Sequence, residues 1–242
     1  MSNLSEPEQF AARSTPNAPV RIAVHVFDLD NPDHDRGIAA LSADEHERAE
    51  RFRFERDRLR YQRGRATVRQ VLGETLDITP HAIRFAYGPQ GKPSLTDSQC
   101  FFNLAHCDAL AVLAVSDHEL GIDVELDRDG FANDTIAERF FAPAEILFLR
   151  ALPPHEQRAA FFRCWTRKEA YLKALGGGLS IPLDDFTVDF SVDGPARIVW
   201  IRDAPGEPNH WTIVDCSAEV SSNATCAIAT RGAVVVVDVS RR

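Results

Sequence analysis

Glu169 and Lys173 lie four residues apart in the stretch Cys164-Trp165-Thr166-Arg167-Lys168-Glu169-Ala170-Tyr171-Leu172-Lys173-Ala174-Leu175. On a helix, that spacing puts a carboxylate and an ammonium on one face. Alone, such a pair is an ordinary surface ion pair, common and weak. A second set of acids changes its meaning. Gly121-Ile122-Asp123-Val124-Glu125-Leu126 alternates as a strand does, with Ile122, Val124 and Leu126 on one side and Asp123 and Glu125 on the other. Two carboxylates side by side on a strand repel each other unless water solvates them or they share a cation. Asp123, Glu125 and Glu169 together suit Mg²⁺, a hard ion that keeps part of its water shell, with Mn²⁺ as a substitute. Lys173, one turn from Glu169, suits a phosphate. The chemistry implied is phosphoryl-group chemistry on a polyanionic substrate.

The elements that must position these groups are readable in outline. Pro153 and Pro154 can start the helix that carries Glu169, and Gly176-Gly177-Gly178 must stop it. Val20 to Asp28 alternates toward a strand. Ser42 is an N-cap with Glu45 three residues on, which makes a capping box. The helical stretch from Leu41 to Leu72 holds nine arginines against six acids. Most of them read as a solvated face; a subset converging on an anionic ligand is the functional reading. Gly88-Pro89-Gln90-Gly91-Lys92-Pro93 is a turn cluster that could bring Lys92 close to a phosphate, and His106 ends the strand Phe101 to His106. Ala109–Val115 and Gly121–Leu126 read as a hairpin. Asp134–Phe141 and Pro143–Leu152 read as short helices, and Leu179–Phe190, Ala196–Ile201, Trp211–Val214, Ala224–Thr230 and Ala233–Val239 as strands.

Composition narrows the class. The 242 residues suffice for one large domain or two small ones, and 44% hydrophobic residues fit a folded protein. A net charge of −9 argues against nucleic acid as a partner. No apolar run is long enough for a bilayer, and the Pro/Ser-rich stretch 1–19 reads as a mobile tail without a signal-peptide core. Five cysteines without paired spacing point to reduced thiols and a cytoplasmic location.

A faint repeat runs through the chain. Leu72, Gly73, Leu76, Ile78 and Gly91 match Leu175, Gly176, Leu179, Ile181 and Gly194 at a constant offset of 103. The expected fold is therefore α+β, a pseudo-dimer of two similar α/β halves over 20–118 and 119–242, with the active site in the cleft between them.

Gly121-Ile122-Asp123-Val124-Glu125 and Trp165 to Lys173 resemble the two signature motifs of 4′-phosphopantetheinyl transferases, and the length and pseudo-repeat resemble the single-chain Sfp type. The resemblance runs from about Leu41 to Val192. It includes Gly91-Lys92-Pro93, Phe102-Asn103-Leu104-Ala105-His106 and Arg139-Phe140-Phe141-Ala142-Pro143-Ala144-Glu145. It implies transfer of the phosphopantetheine arm of coenzyme A, the co-substrate, to a serine of an apo carrier protein, with release of adenosine 3′,5′-bisphosphate. Asp123, Glu125 and Glu169 match the family's Mg²⁺ ligands, and Glu169 also matches the residue proposed as base. Lys173 matches the lysine that faces the pyrophosphate. Lys92, Pro93 and His106 match the coenzyme A site, and Arg48 and Arg60 align with basic residues near the 3′-phosphate. One departure concerns Ala105 and Cys107, where the family has Ser before the His and often after it. This reading expects the missing hydroxyls to weaken coenzyme A binding.

The partner implied is a peptidyl, polyketide or fatty-acid carrier, as in secondary metabolite biosynthesis, with the enzyme a monomer and neither nucleic acid nor membrane engaged. A non-catalytic carrier-protein or coenzyme A binding module of the same fold is the competing reading; it should have lost one of the three acids or Lys173, and none is lost. A Mg²⁺-dependent phosphatase or nuclease is a further enzyme alternative, and the acidic charge disfavours a nuclease.

Overall fold

The computed structural model describes residues 19–96, 98–127, 134–232 and 235–242. The tail expected over 1–19 lies outside them except for Pro19. Strand β1 (Val20–Asp28) is followed by a 3₁₀ turn over Pro32–Ala40, helix α1 (Ala43–Ala49) and helix α2 (Glu55–Leu76). The hairpin β2 (Phe85–Tyr87) and β3 (Pro93–Leu95) comes next, then the antiparallel pair β4 (Phe101–Cys107) and β5 (Leu110–Ser116). The second half runs through β6 (Leu120–Leu126), α3 (Asp134–Phe140), α4 (Pro143–Ala151) and α5 (Pro154–Leu175). It continues through β7 (Phe186–Asp189), β8 (Arg197–Ile201), β9 (Trp211–Asp215), α6 (Ser217–Val220), β10 (Ala224–Arg231) and β11 (Val235–Arg241).

The architecture is mixed α+β with two related halves. The first sheet has the order β11-β1-β5-β4 and the second β6-β10-β9, so β1-β5-β4 is mirrored by β6-β10-β9. β11 departs from the expected division at 118/119, because it leaves the second half and pairs in parallel with β1. The stretch Leu179–Phe190, expected as one strand, forms two 3₁₀ turns and only the short β7. Pro182 explains part of this, since it cannot donate to a ladder.

A buried charge node recurs in both halves and ties each long helix to its surroundings. In the first half the Glu45 carboxylate accepts the Ser42 N–H at 2.9 Å, completing the expected capping box. It also takes Arg65 Nε at 2.7 Å and Arg69 Nε at 2.6 Å. Arg69 goes on to donate to the Pro80 and Ile83 carbonyls. In the second half Glu145 accepts the Ala142 and Val188 N–H groups, each at 2.8 Å, and pairs with Lys168 at 2.8 Å. Lys168, fully buried, donates to the Leu183 and Phe186 carbonyls. Every charge in these nodes is paired and hydrogen-bonded, the condition under which buried ions are tolerated.

The nodes give the register of the repeat. Arg69 corresponds to Lys168, and the 22-residue helices α2 and α5 start at Glu55 and Pro154. The helices thus align at an offset of 99, not 103. The offset of 103 holds only beyond them, where Pro80 and Ile83 correspond to Leu183 and Phe186. Gly73, matched by sequence to the helix-ending Gly176, lies inside α2; Asp77 takes the left-handed cap there, with φ 53°.

Two measurements check the nodes. Lys168→Met is expected to cost about 3–5 kcal/mol in a urea titration, because it strands a buried carboxylate. Adding Glu145→Gln should recover part of that loss, since it removes the charge and keeps an acceptor. Burial pushes the Glu45 carboxyl up, but the Ser42 N–H and the Arg65 and Arg69 guanidiniums outweigh it and hold the group below its ordinary value of 4.5. Its contribution is therefore complete above the ordinary carboxylate range and is lost as pH falls through the lower, folded value. Glu45→Gln should flatten the acid side of the stability–pH profile.

Candidate active site

β6 packs directly on α5 because Gly121 has no side chain. A Cβ there would lie 2.7 Å from the Lys173 carbonyl carbon, and closer still to the Ala170 oxygen and Ala174 nitrogen. Two residues along the strand, Asp123 meets the helix. Its Oδ1 accepts from Lys173 Nζ at 2.6 Å, and the residue is only 5% exposed. Its Oδ2 is buried without a hydrogen-bond partner. Burial pushes the Asp123 carboxyl above the ordinary range, against the pull of Lys173. Glu169, half-buried one turn before Lys173, is pushed the same way by burial first, then by the Asp123 and Glu125 charges, with Lys173 opposing. Glu169 thus feels the charges of both strand carboxylates. Among the described residues, however, no three carboxylate, imidazole or thiolate groups stand close enough together to ligate a metal. Asp123 instead pairs directly with the Lys173 ammonium.

On the other side, a cavity of about 530 Å³ opens in the first half. Arg48, Arg60, Pro93 and His106, singled out in the sequence, line it together with Phe52, Arg56, Tyr61, Arg65, Tyr87 and Asn103. The sequence signal for the additional residues was the arginine-rich run, which did not say which arginines turn inward. Arg60 is held by Asp30 through two bonds of 2.7 and 2.6 Å. Surrounding protein atoms, then Lys173 and Arg60, push the His106 imidazole below its ordinary value. His106 therefore stands within electrostatic reach of both the cavity arginines and the lysine of the second half.

Lys92 is placed differently from its neighbours in the motif. Its Nζ donates to the carbonyls of Leu120 and Ala174 at 3.0 and 3.1 Å, and burial pushes its ammonium below the ordinary value. It caps the C-terminal end of α5, where a cation is favourable. Ala105, 3% exposed, packs in the cluster of Val112, Ile122 and Val124, and the Cys107 thiol accepts from the Leu126 N–H. Neither residue lines the cavity. The departure at these two positions thus alters the contact with β6 and takes no side-chain hydroxyl from the cavity wall.

Comparison with known proteins follows the two halves. The model of the 4′-phosphopantetheinyl transferase superfamily matches residues 119–229, and that of the 4′-phosphopantetheinyl transferase N-terminal region matches 31–118. The chain is 37% identical to the 4′-phosphopantetheinyl transferase HetI of Nostoc sp. over 196 residues, 79% of each chain. It is 32% identical to the 4′-phosphopantetheinyl transferase Sfp of Bacillus subtilis over 171 residues, covering 70% of this chain and 75% of Sfp. The chain belongs to the 4′-phosphopantetheinyl transferase family. In this Sfp-type transferase the carboxylates and Lys173 come from the half matched by the superfamily model, and the arginine-lined cavity from the half matched by the N-terminal model.

Gly121→Ala tests the contact on which the transferase's site depends. The added methyl must force β6 away from α5, so the expected loss is about 1–3 kcal/mol in a denaturant titration. An unchanged midpoint would refute the close packing.

Proposed function

We propose that the protein moves the 4′-phosphopantetheine arm of coenzyme A to a serine hydroxyl of an apo carrier protein and releases adenosine 3′,5′-bisphosphate. The observation that carries this reading is the meeting of two unlike sites across one seam. A cavity lined by Arg48, Arg60 and His106 lies, through His106, within electrostatic reach of Lys173, which pairs with Asp123, one of two strand acids whose charge reaches Glu169. The cavity offers guanidinium groups and aromatic walls to a phosphorylated nucleotide. Lys173 offers a positive charge where the pyrophosphate would react and would offset charge developing at phosphorus.

The three acids fit Mg²⁺ on their own chemistry. They are hard oxygen donors, the Asp123 and Glu125 charges raise the proton affinity of Glu169, and Asp123 Oδ2 is buried without a partner. Asp123, Glu125 and Glu169 would hold the ion, which would supply positive charge to the phosphates and make a nearby hydroxyl more acidic. Glu169, raised above the ordinary carboxylate range, is suited to take the serine proton. The serine oxygen then bonds to the phosphorus of the pantetheine phosphate, the pyrophosphate P–O bond breaks, and the bisphosphate leaves with that electron pair. Lys92 supports the site by capping the helix that presents Glu169 and Lys173. The described cysteines carry free thiols, which suits a reducing cytoplasm.

Incubation of the protein with coenzyme A, Mg²⁺ and an apo carrier protein should add one phosphopantetheine mass to the carrier in intact mass spectra. No addition to any class of carrier would overturn the reading. Glu169→Gln keeps the size and one oxygen but removes the basicity. At saturating Mg²⁺ it should remain about 10²–10⁴-fold slower, the usual deficit for a lost general base. Full rescue by Mg²⁺ at constant pH would leave Glu169 as a ligand only.

A further inference from the structure

β4 and β6 lie side by side as the facing edges of the two sheets, yet no backbone ladder joins them among the described residues. β6 spends its other edge on β10. The N–H groups it turns toward β4 must find acceptors or go unsatisfied, which is costly for a buried amide. Two of them are met by side chains. The Ile122 N–H donates to Asn103 Oδ1 at 2.9 Å, and the Leu126 N–H donates to Cys107 Sγ at 3.5 Å. Asn103 is 7% exposed and Cys107 4%. They stand four residues apart on β4, so both face the same way. The two amides they hold bracket Asp123-Val124-Glu125. Asn103 also lines the cavity beside His106. One side chain thus touches the cavity of the first half and the carboxylate-bearing strand of the second.

We propose that Asn103 and Cys107 are positioning residues for phosphopantetheinyl transfer: they clamp β6 on either side of Asp123 and Glu125 and fix those carboxylates relative to the cavity. The proposal rests on the transferase reading above. Asn103 holds the stronger clamp, because an amide oxygen is a better acceptor than a thiol. The residue after the cavity histidine acts here through β6.

The test compares variants that lose the acceptor with variants that keep it. Asn103→Ala should lower kcat about ten-fold, the effect of one lost buried hydrogen bond, with a smaller change in the KM for coenzyme A. Asn103→Asp keeps an oxygen for the Ile122 N–H. It should recover most of kcat while raising KM, since its charge opposes phosphate in the cavity. Cys107→Ala should lower kcat by a smaller factor, and Cys107→Ser, which restores an acceptor, should not. Amide hydrogen exchange of the peptide covering 120–126 should quicken in Asn103→Ala and Cys107→Ala but not in Asn103→Asp and Cys107→Ser. This readout needs no turnover, so it tests the clamp even if the wild type failed to modify a carrier, which would count against the function alone. A rise in KM with kcat and exchange unchanged in Asn103→Ala would make Asn103 a cavity wall only and overturn the proposal. Equal loss of kcat in Asn103→Ala and Asn103→Asp would overturn it too. Should Asn103→Ala not fold, the Cys107 pair decides: exchange as in the wild type for both would refute the clamp.

Discussion

The site depends on the absence of one side chain. β6 rests on α5 with Gly121 against the helix backbone, and no other residue type fits there without moving one of the two elements. That contact brings Asp123 to Lys173, fifty positions away in the chain, at hydrogen-bond distance. It also brings the negative charges of Asp123 and Glu125 within reach of Glu169. Lys92 reinforces the arrangement from the first half by bonding one carbonyl on each partner, Leu120 before the strand's acids and Ala174 at the end of the helix. Strand, helix and turn are thus joined at one point through two glycine-rich segments, Gly88–Gly91 and Gly176–Gly178, where Gly91, Gly176 and Gly178 all have positive φ.

The charge nodes around Glu45 and Glu145 hold the long helices from the opposite side. Each uses the carboxylate of a short helix's first turn, a cation of the following long helix and two carbonyls beyond that helix's end. Three consecutive elements are thereby fixed by one buried network, so the face of α5 that carries Glu169 and Lys173 cannot rotate freely. The same helix positions in α2, 99 residues earlier, hold Gln70 and Glu74. Glu74 pairs with Arg242 and accepts from Gln70. The repeat therefore preserves the frame in both halves but the carboxylate–lysine chemistry in one.

Local signals were legible in the sequence, and long-range ones were not. The Ser42–Glu45 box, the ends of α5 and the alternation in β6 follow from neighbouring residues, and the structure has them. Most of the arginine run read as a solvated face, with a subset converging on an anion as the functional reading; Arg48, Arg60 and His106 share a cavity wall with Pro93. Where Lys92 would go was not legible, because its acceptors are backbone carbonyls of distant residues, and carbonyls leave no trace in residue identity. Ala105 and Cys107 misled for a related reason. Strand alternation turns them toward β6, but which side of β4 faces the cavity depends on how two sheets meet. The register of the repeat slipped because glycines and leucines align easily by chance, whereas Arg69 and Lys168, its true markers, are different residue types doing one job.

The return of β11 to the first sheet sets an order of events during synthesis. β1 is among the first described elements to emerge, and β5 can cover one of its edges early. Its other edge pairs with Val235–Arg241, and the Arg242 N–H still reaches back to the Val26 carbonyl. A nascent chain that has already made Asp123, Glu125 and Glu169 still carries a row of open backbone groups on β1, the kind of edge that invites pairing with another chain. The sheet closes only once the chain beyond residue 235 has left the ribosome, so until then the β1 edge is open to pairing with another chain.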